Sequence, residues 1–362
     1  MVFGRNKGWI GIDFGTRALK LVQTERVGAG LRIAASAVLR RSDVSVPQTP
    51  QGALKSQWPA SRLKAALSLD VAFCGCKAAC TLPMSVTDLH ALTVPPGSDD
   101  DRRAVVAHEL SMVFRKDPQP REFDFWETDT AAPVNVSTTA NVNVLSIPRS
   151  VVSELTAGLR TAGLRCEAID GLPFVLARAV HLAYGPGPRE PVAAVDWGFT
   201  SSTFCVIADE RPQFTRHLRN CGFDSVVKAV GGALALSEEE AVQVLAKHGL
   251  PHSDRTGGEI QEVIAEVAAG GLHEMAEELK KTVSYLRMQY PAIVPRRLCL
   301  LGDGAGMQHV TAFLADKVGL PVDTWRLPPP SDDHREPDRD GAREPSAVLG
   351  TAVALSALAW AS

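Results

Sequence analysis

Apolar residues alternate with polar ones over three consecutive runs near the start of the chain: GWIGIDFG (8–15), TRALKLVQTE (16–25) and GLRIAASAVLR (30–40). This period of two predicts antiparallel strands. Gly15 supplies the tight turn between the first two, because glycine reaches backbone angles that other residues resist. Residues 42–60 carry three prolines and no period, and read as a linker. A short helix over 60–69 and a strand within VAFCGCKAACTLP (71–83) are expected next. In PPGSDDDRRAVVAHELSMVF (95–114) a Ser and three Asp precede apolar positions Val105, Val106, Leu110 and Val113. That order predicts a helix start and one apolar face. REFDFWETD (121–129) and ANVNVLSIP (140–148) alternate again, so residues 41–141 read as a small α+β insert.

The run 149–185 reads as helix, turn at Gly163, strand and helix, and GPGP (185–188) marks a boundary. The opening pattern then returns. VAAVDWGFTSST (192–203) repeats the layout of WIGIDFGTRALK (9–20): a β-branched run ending in Asp, then glycine and hydroxyl residues, then a second run. Pro212 falls in the far turn of this second hairpin, two helical stretches lie within 223–291, and 296–322 reads strand, glycine-rich turn, helix, strand. Residues 328–345, charged and proline-rich, are expected to form a surface loop. Two halves of α/β character thus begin with the same hairpin, with insertions at about 41–141 and 235–297.

Composition narrows the function. The net charge is −3, with 45% apolar and 22% charged residues, as in a globular protein. No basic run or basic–aromatic interleaving favours nucleic acid. The uncharged stretch 346–360 is shorter than the roughly 20 apolar residues that span a bilayer and predicts a buried C-terminal helix. The opening residues lack a signal-peptide pattern, so a cytoplasmic protein with reduced thiols is expected. Cys74, Cys76 and Cys80, with only His90 and His108 nearby in sequence, complete no zinc pattern and read as small apolar side chains.

The candidate chemistry sits at the hairpins. A strand ending in Asp and turning through Gly and Thr can aim several backbone N–H groups and hydroxyls at a phosphate. Two facing copies could clamp a phosphate chain, with Asp13 and Asp196 holding a hydrated Mg²⁺. LCLLGDGAGM (298–307) runs from an apolar strand into Gly302, Gly304 and Gly306, a geometry suited to a flat or phosphorylated ligand. A dinucleotide fingerprint is incomplete there, since Met307 stands where it needs glycine, although Asp323 lies at the spacing of a ribose-binding acid.

GIDFGTRALKLVQ, AVDWGFTSSTF and LLGDGAG resemble, in order, the two phosphate motifs and the adenosine motif of the actin, Hsp70 and sugar-kinase superfamily. Within it, TLPMSVTDLHALTVPPGSDDDRRAVVAHELSMVF, VNVLSIPRSVVSELTAGLRTAGLRCEAIDGLPFVLARAV and ALSEEEAVQVLAKHGLP are similar to the PilM family of type IV pilus assembly proteins. The resemblance implies a duplicated ribonuclease-H-like, two-domain α/β fold with an α+β insert in each half. The first unit would comprise 1–40, 142–188 and 346–362, with insert 41–141. The second would comprise 189–234 and 298–345, with helical insert 235–297. It implies ATP and Mg²⁺ as cofactors. Asp13, Gly15, Thr16 and Lys20 would face the phosphates from one side, and Asp196, Gly198, Thr200, Ser201 and Ser202 from the other. Gly302, Gly304 and Gly306 would back the nucleoside, with Glu277, Lys280 and Ser284 on a helical face beside it; the same spacing also suits a solvated Glu–Lys pair. Asp170 is the one positional candidate for a catalytic acid, and could equally cap the following helix.

The implied role is a cytoplasmic, ATP-binding scaffold of a pilus or related secretion platform, peripheral to the inner membrane. It would dock the N-terminal cytoplasmic tail of a PilN-like membrane protein in a groove between the first unit and 41–141, alongside other platform proteins. ATP hydrolysis would be slow at most, because no residue orients a water. Alternatives are a nucleotide-poor module like the cytoplasmic part of GspL, a small-molecule kinase, and a division protein of the FtsA type. The last fits poorly with an ALSALAWAS end that lacks Lys and Arg. Bulky Trp197 and Phe199 around Gly198, and Asp303 between the glycines, depart from the superfamily pattern.

Overall fold

The computed structural model describes residues 6–40, 63, 67, 73–117, 119–128, 140–186, 190–251, 258–330 and 346–360. The expected linker and the expected helix at 60–69 lie largely outside the described residues, as does most of the loop 328–345. The first half opens with β1 (Lys7–Phe14), β2 (Ala18–Val27), β3 (Gly30–Arg40) and β4 (Lys77–Thr81). The insert differs from the expected 41–141: β4 belongs to the first sheet, and the insert's own elements are β5 (Asp88–Val94), α1 (Asp99–Val113), β6 (Arg121–Glu127) and β7 (Ala140–Pro148), after which α2 (Arg149–Thr161), β8 (Arg165–Asp170) and α3 (Leu172–Tyr184) follow. The second half contains β9 (Val192–Trp197), β10 (Ser202–Ala208), β11 (Arg211–Leu218), α4 (Asp224–Leu234), α5 (Glu238–Lys247) and the long α6 (Glu259–Gln289). It continues with β12 (Arg297–Leu301), α7 (Val310–Val318) and β13 (Val322–Thr324), and α8 (Gly350–Ala357) ends it.

The same hairpin occurs twice because the same sheet occurs twice. One sheet runs β3-β2-β1-β4-β8 and the other β11-β10-β9-β12-β13. In each, the hairpin strands are antiparallel and the outer two strands join in parallel. Asp13 lies opposite Lys20 and beside Thr81, and Asp196 lies opposite Thr203 and beside Leu301. Both carboxylates thus stand at the carboxyl end of the central strand, where open α/β sheets place their ligands.

The insert within the second half is helical, not α+β: α5 and α6 are its described elements, and α6 packs on α4. Helix α3, although its sequence adjoins the first sheet, packs on β9, β10 and β11 and on α8. Helix α8 has all eight residues buried, as the uncharged stretch predicted, and lies across β1 and β2. It comes so close that a Cβ on Gly11 would sit 2.1 Å from the Ala352 carbonyl oxygen. Ser356 fastens it, donating to the Trp9 carbonyl at 2.6 Å and accepting from the Thr24 amide at 2.8 Å.

The first insert forms its own antiparallel sheet, β5-β7-β6, covered by α1 through Val106 and Leu110. Ser98 caps α1 reciprocally with Asp101, which is why the acidic run starts the helix where the sequence predicts. β6 is an edge strand of that sheet. From it the Trp126 indole donates to the Pro212 carbonyl in the second half at 2.8 Å.

Candidate functional site

The two hairpins turn on matching glycines. A Cβ on Gly15 would lie 2.7 Å from the Ala18 carbonyl oxygen, and one on Gly198 would lie 2.7 Å from the Ser201 carbonyl oxygen. Each hairpin therefore needs glycine at the same place, and the tips meet: the Thr200 hydroxyl donates to that of Thr16 at 3.1 Å. The structure brings Asp13 and Asp196 within electrostatic reach of each other and of Lys20, with Thr16 and Thr200 in contact at the hairpin tips.

The cleft is filled from within. Lys20 is 4% exposed, with its ammonium 3.1 Å from Asp303 and 3.8 Å from Asp13. Asp13 also accepts a hydrogen bond from Thr351 at 2.8 Å. Burial raises the Asp13 carboxyl above its ordinary range, against the pull of Lys20. Burial, with the nearby Asp13 charge, pushes Asp196 to about 7. The fields of Asp303, Asp13 and Asp196 outweigh desolvation at Lys20 and raise its ammonium above the ordinary lysine value. One cation of the chain thus stands among three carboxylates, and Asp303, which looked out of place in the glycine-rich turn, is the partner of Lys20.

That turn folds as a 3-10 segment over Asp303–Gly306. Gly302 enters it at φ +86°, where another residue would be strained, and a Cβ on Gly304 would lie 2.3 Å from the Trp197 ring. Trp197 is fully buried, edge-on to Phe223 at 5.5 Å. The bulky residue beside Gly198 is thus core, with glycine behind it to make room. Phe199 lies under the Arg17 guanidinium at 5.3 Å. Arg17 does not face solvent. It is 8% exposed and binds Glu238 at 2.9 Å and Glu239 at 2.7 Å, at the start of α5. Arg40 joins Glu239 at 2.9 Å. Beside these residues a space of about 40 Å³ is lined by Arg17, Asp303, Gly306, Met307 and Phe223, among others. Pockets that take small-molecule ligands span roughly 300–1,000 Å³. The hairpin tips thus touch, and the space beside them is smaller than a ligand pocket.

Several expected residues do not join the cluster. Ser202 is buried and donates to the Cys221 carbonyl, while Ser201 meets His217 Nε2 at 3.0 Å. Glu277, Lys280 and Ser284 are exposed on α6. The ion pair on that helix is one residue along, Glu278 with Lys281 at 2.8 Å, and Glu278 also reaches Arg216 at 2.7 Å. Asp170, the catalytic candidate, is separated from Asp13 by Thr81, two strand spacings or about 10 Å. Its carboxylate is held by Arg178 at 2.9 Å. It is not the helix cap either, since Gly171 is the N-cap residue of α3. Burial raises its carboxyl pKa, with Arg178 opposing. Arg17, Glu238, Glu239 and Thr351 were missed as site residues. The acidic triplet 238–240 was visible as a helix start, but nothing local links it to a hairpin more than 200 residues earlier.

Asp170 instead borders a second cavity, of about 280 Å³, where the first unit meets the insert. Leu82, Ile169 and Leu172 line it from one side, and Leu145, Ile147 and Trp126 from the other, with Glu122 and Asp124 among its polar residues. Trp126 packs edge-on against Phe174 at 4.9 Å, and both also line an adjoining polar cleft of about 570 Å³ that reaches Arg211. The two share Asp124, Trp126 and Phe174 and both lie along β6.

No family model matches the chain, and no curated protein does. Among solved structures, a chain of a PilM-PilN type IV pilus biogenesis complex is similar at 20% identity and TM-score 0.73, covering 97% of this chain and 98% of that one. The ethanolamine utilization protein EutJ from Carboxydothermus hydrogenoformans is similar at 15% identity and TM-score 0.55, covering 98% and 90%. An archaeal actin homolog is similar at 13% identity and TM-score 0.46, covering 98% and 99%. The chain therefore shares the two-unit α/β fold of the first two of these structures over nearly its whole length. Among the described residues no helix is long and apolar enough to cross a membrane.

Proposed function

We propose that this protein is an actin-like scaffold of a type IV pilus or related secretion platform, acting at the cytoplasmic face of the inner membrane. It seats the extended N-terminal tail of a PilN-like membrane protein, and so meets the other platform proteins. The groove along β6 carries the reading. It combines an apolar cavity of about 280 Å³ with a strand, β6, that lies at the edge of its sheet among the described residues. Extended peptides are recognised in this way, main-chain hydrogen bonds giving affinity and pockets giving specificity. Full-length similarity to a chain of a PilM-PilN complex supports the choice of partner.

ATP with Mg²⁺ belongs to the reading only with the halves parted. Asp13, Thr16 and Lys20 would then face Asp196 and Thr200, and Gly302–Gly306 would lie behind. The closed hairpins favour, within the same docking role, the nucleotide-poor form.

The test is a fluorescence-anisotropy titration of the full chain with the N-terminal peptide of a PilN-like protein from the same genome. Saturable binding is expected, weakened at least about tenfold by Val152→Glu, which places a charge in the apolar groove. Absence of saturable binding defeats the reading.

A further inference from the structure

Among the described residues, three polar links cross the cleft beside the Arg40–Glu239 pair at 2.9 Å. Thr200 meets Thr16 at the hairpin tips. Lys20 of β2 meets Asp303 of the glycine-rich turn at 3.1 Å. Arg17 of the first hairpin meets Glu238 and Glu239 of α5. The third differs from the others in shape. The guanidinium is almost wholly buried on the first half and forked between two carboxylates, one 56% and one 37% exposed, on the second. Phe199 of the second hairpin covers its face. Arginine's planar fork suits such a two-carboxylate grip. The side chain lies in the approach to the glycine-rich turn, where it lines the space of about 40 Å³ with Asp303, Gly306 and Met307.

We propose that Arg17, gripped by Glu238 and Glu239, latches the two halves shut, and that the latched form excludes a nucleoside triphosphate. Latch and nucleotide then compete for one cleft. A ligand that binds only the parted form has its apparent affinity lowered by the fraction of molecules parted, so weakening the latch tightens binding. The inference rests on the reading that the parted cleft accepts nucleotide, and the test separates the two.

Full-length wild type, Arg17→Gln and the double variant Glu238→Gln/Glu239→Gln are compared by thermal unfolding without nucleotide and by titration with fluorescent Mg-ATP. The two glutamates sit at a helix start, 56% and 37% exposed, and far-ultraviolet circular dichroism checks that the double variant keeps the fold. Binding of the PilN-like tail peptide to the same samples checks this and reads the docking function separately. Both variants are expected to melt lower by at least about 2–4 °C. The double variant, which alters nothing at the phosphate hairpins, is expected to bind Mg-ATP at least about tenfold tighter than wild type. Equal affinity in wild type and double variant overturns the latch. So does absence of Mg-ATP binding in all three proteins, an outcome that leaves the docking reading standing if the peptide still binds.

Discussion

Lys20 shows how one side chain settles an otherwise unfavourable group. Asp13, Asp196 and Asp303 converge at the carboxyl ends of two central strands and the turn behind them, and the ammonium of Lys20 stands among them. Lys20→Met keeps the volume and removes the charge. It leaves buried carboxylates unpaired, and breaking a buried pair from one side costs about 3–5 kcal/mol. A urea unfolding free energy lowered by that amount, with far-ultraviolet circular dichroism unchanged at zero urea, is the expected result. His217 gives a pH effect of known sign. Burial first, and Arg219 second, hold its folded pKa below the ordinary 6.5. The unfolded chain therefore takes up the proton more readily. Stability from this group is intact above about pH 6.5 and is lost as pH falls through the lowered folded value. Urea unfolding at pH 7.5 and pH 5.0 should show a smaller acid loss in His217→Gln, whose amide can still meet Ser201.

At the scale of elements, Gly11 is the position on which the C-terminal helix depends. β1 is a buried strand, and α8 crosses it with the Ala352 carbonyl where a Cβ of residue 11 would lie. Gly11→Ala forces the helix outward and is expected to cost about 1–3 kcal/mol, as overpacking does. Faster hydrogen exchange of the α8 amides, at unchanged exchange in β10, would locate the damage. Elements of this kind were legible. Alternation gave β1–β3, the Ser98–Asp101 pattern gave α1, and lack of charge gave a buried α8. What alternation cannot show is which neighbour an element chooses. Helix α3 follows a strand of the first sheet yet packs on the second, because its apolar residues include Val175, Leu176, Ala179 and Val180, which share one core with β9 and β10. The glycine-rich turn was legible as a turn after an apolar strand. The reason for Asp303 was not, since its cation arrives from β2 of the other half.

For the whole molecule, the readable part of the site was the repeat, and the unreadable part was the closure. Matched hairpins predict a shared cleft, but whether that cleft stands open depends on Arg17, Glu238 and Glu239, whose meeting only the tertiary fold decides. The same holds at the groove, where Trp126 belongs to the insert by sequence but hydrogen-bonds to the second half. Its ring also packs edge-on against Phe174 and lines the cavity proposed for docking. A peptide in the groove therefore touches a residue that ties insert and second half together. Trp126→Phe keeps much of the apolar contact and deletes the donor, leaving the Pro212 carbonyl without its indole partner. The loss of such a bond costs about 1–2 kcal/mol. If the tie is structural alone, only the melting temperature falls. If docking is read through it, exchange of the β10–β11 turn amides slows on peptide binding in wild type and does not in Trp126→Phe, and that difference is the expected outcome.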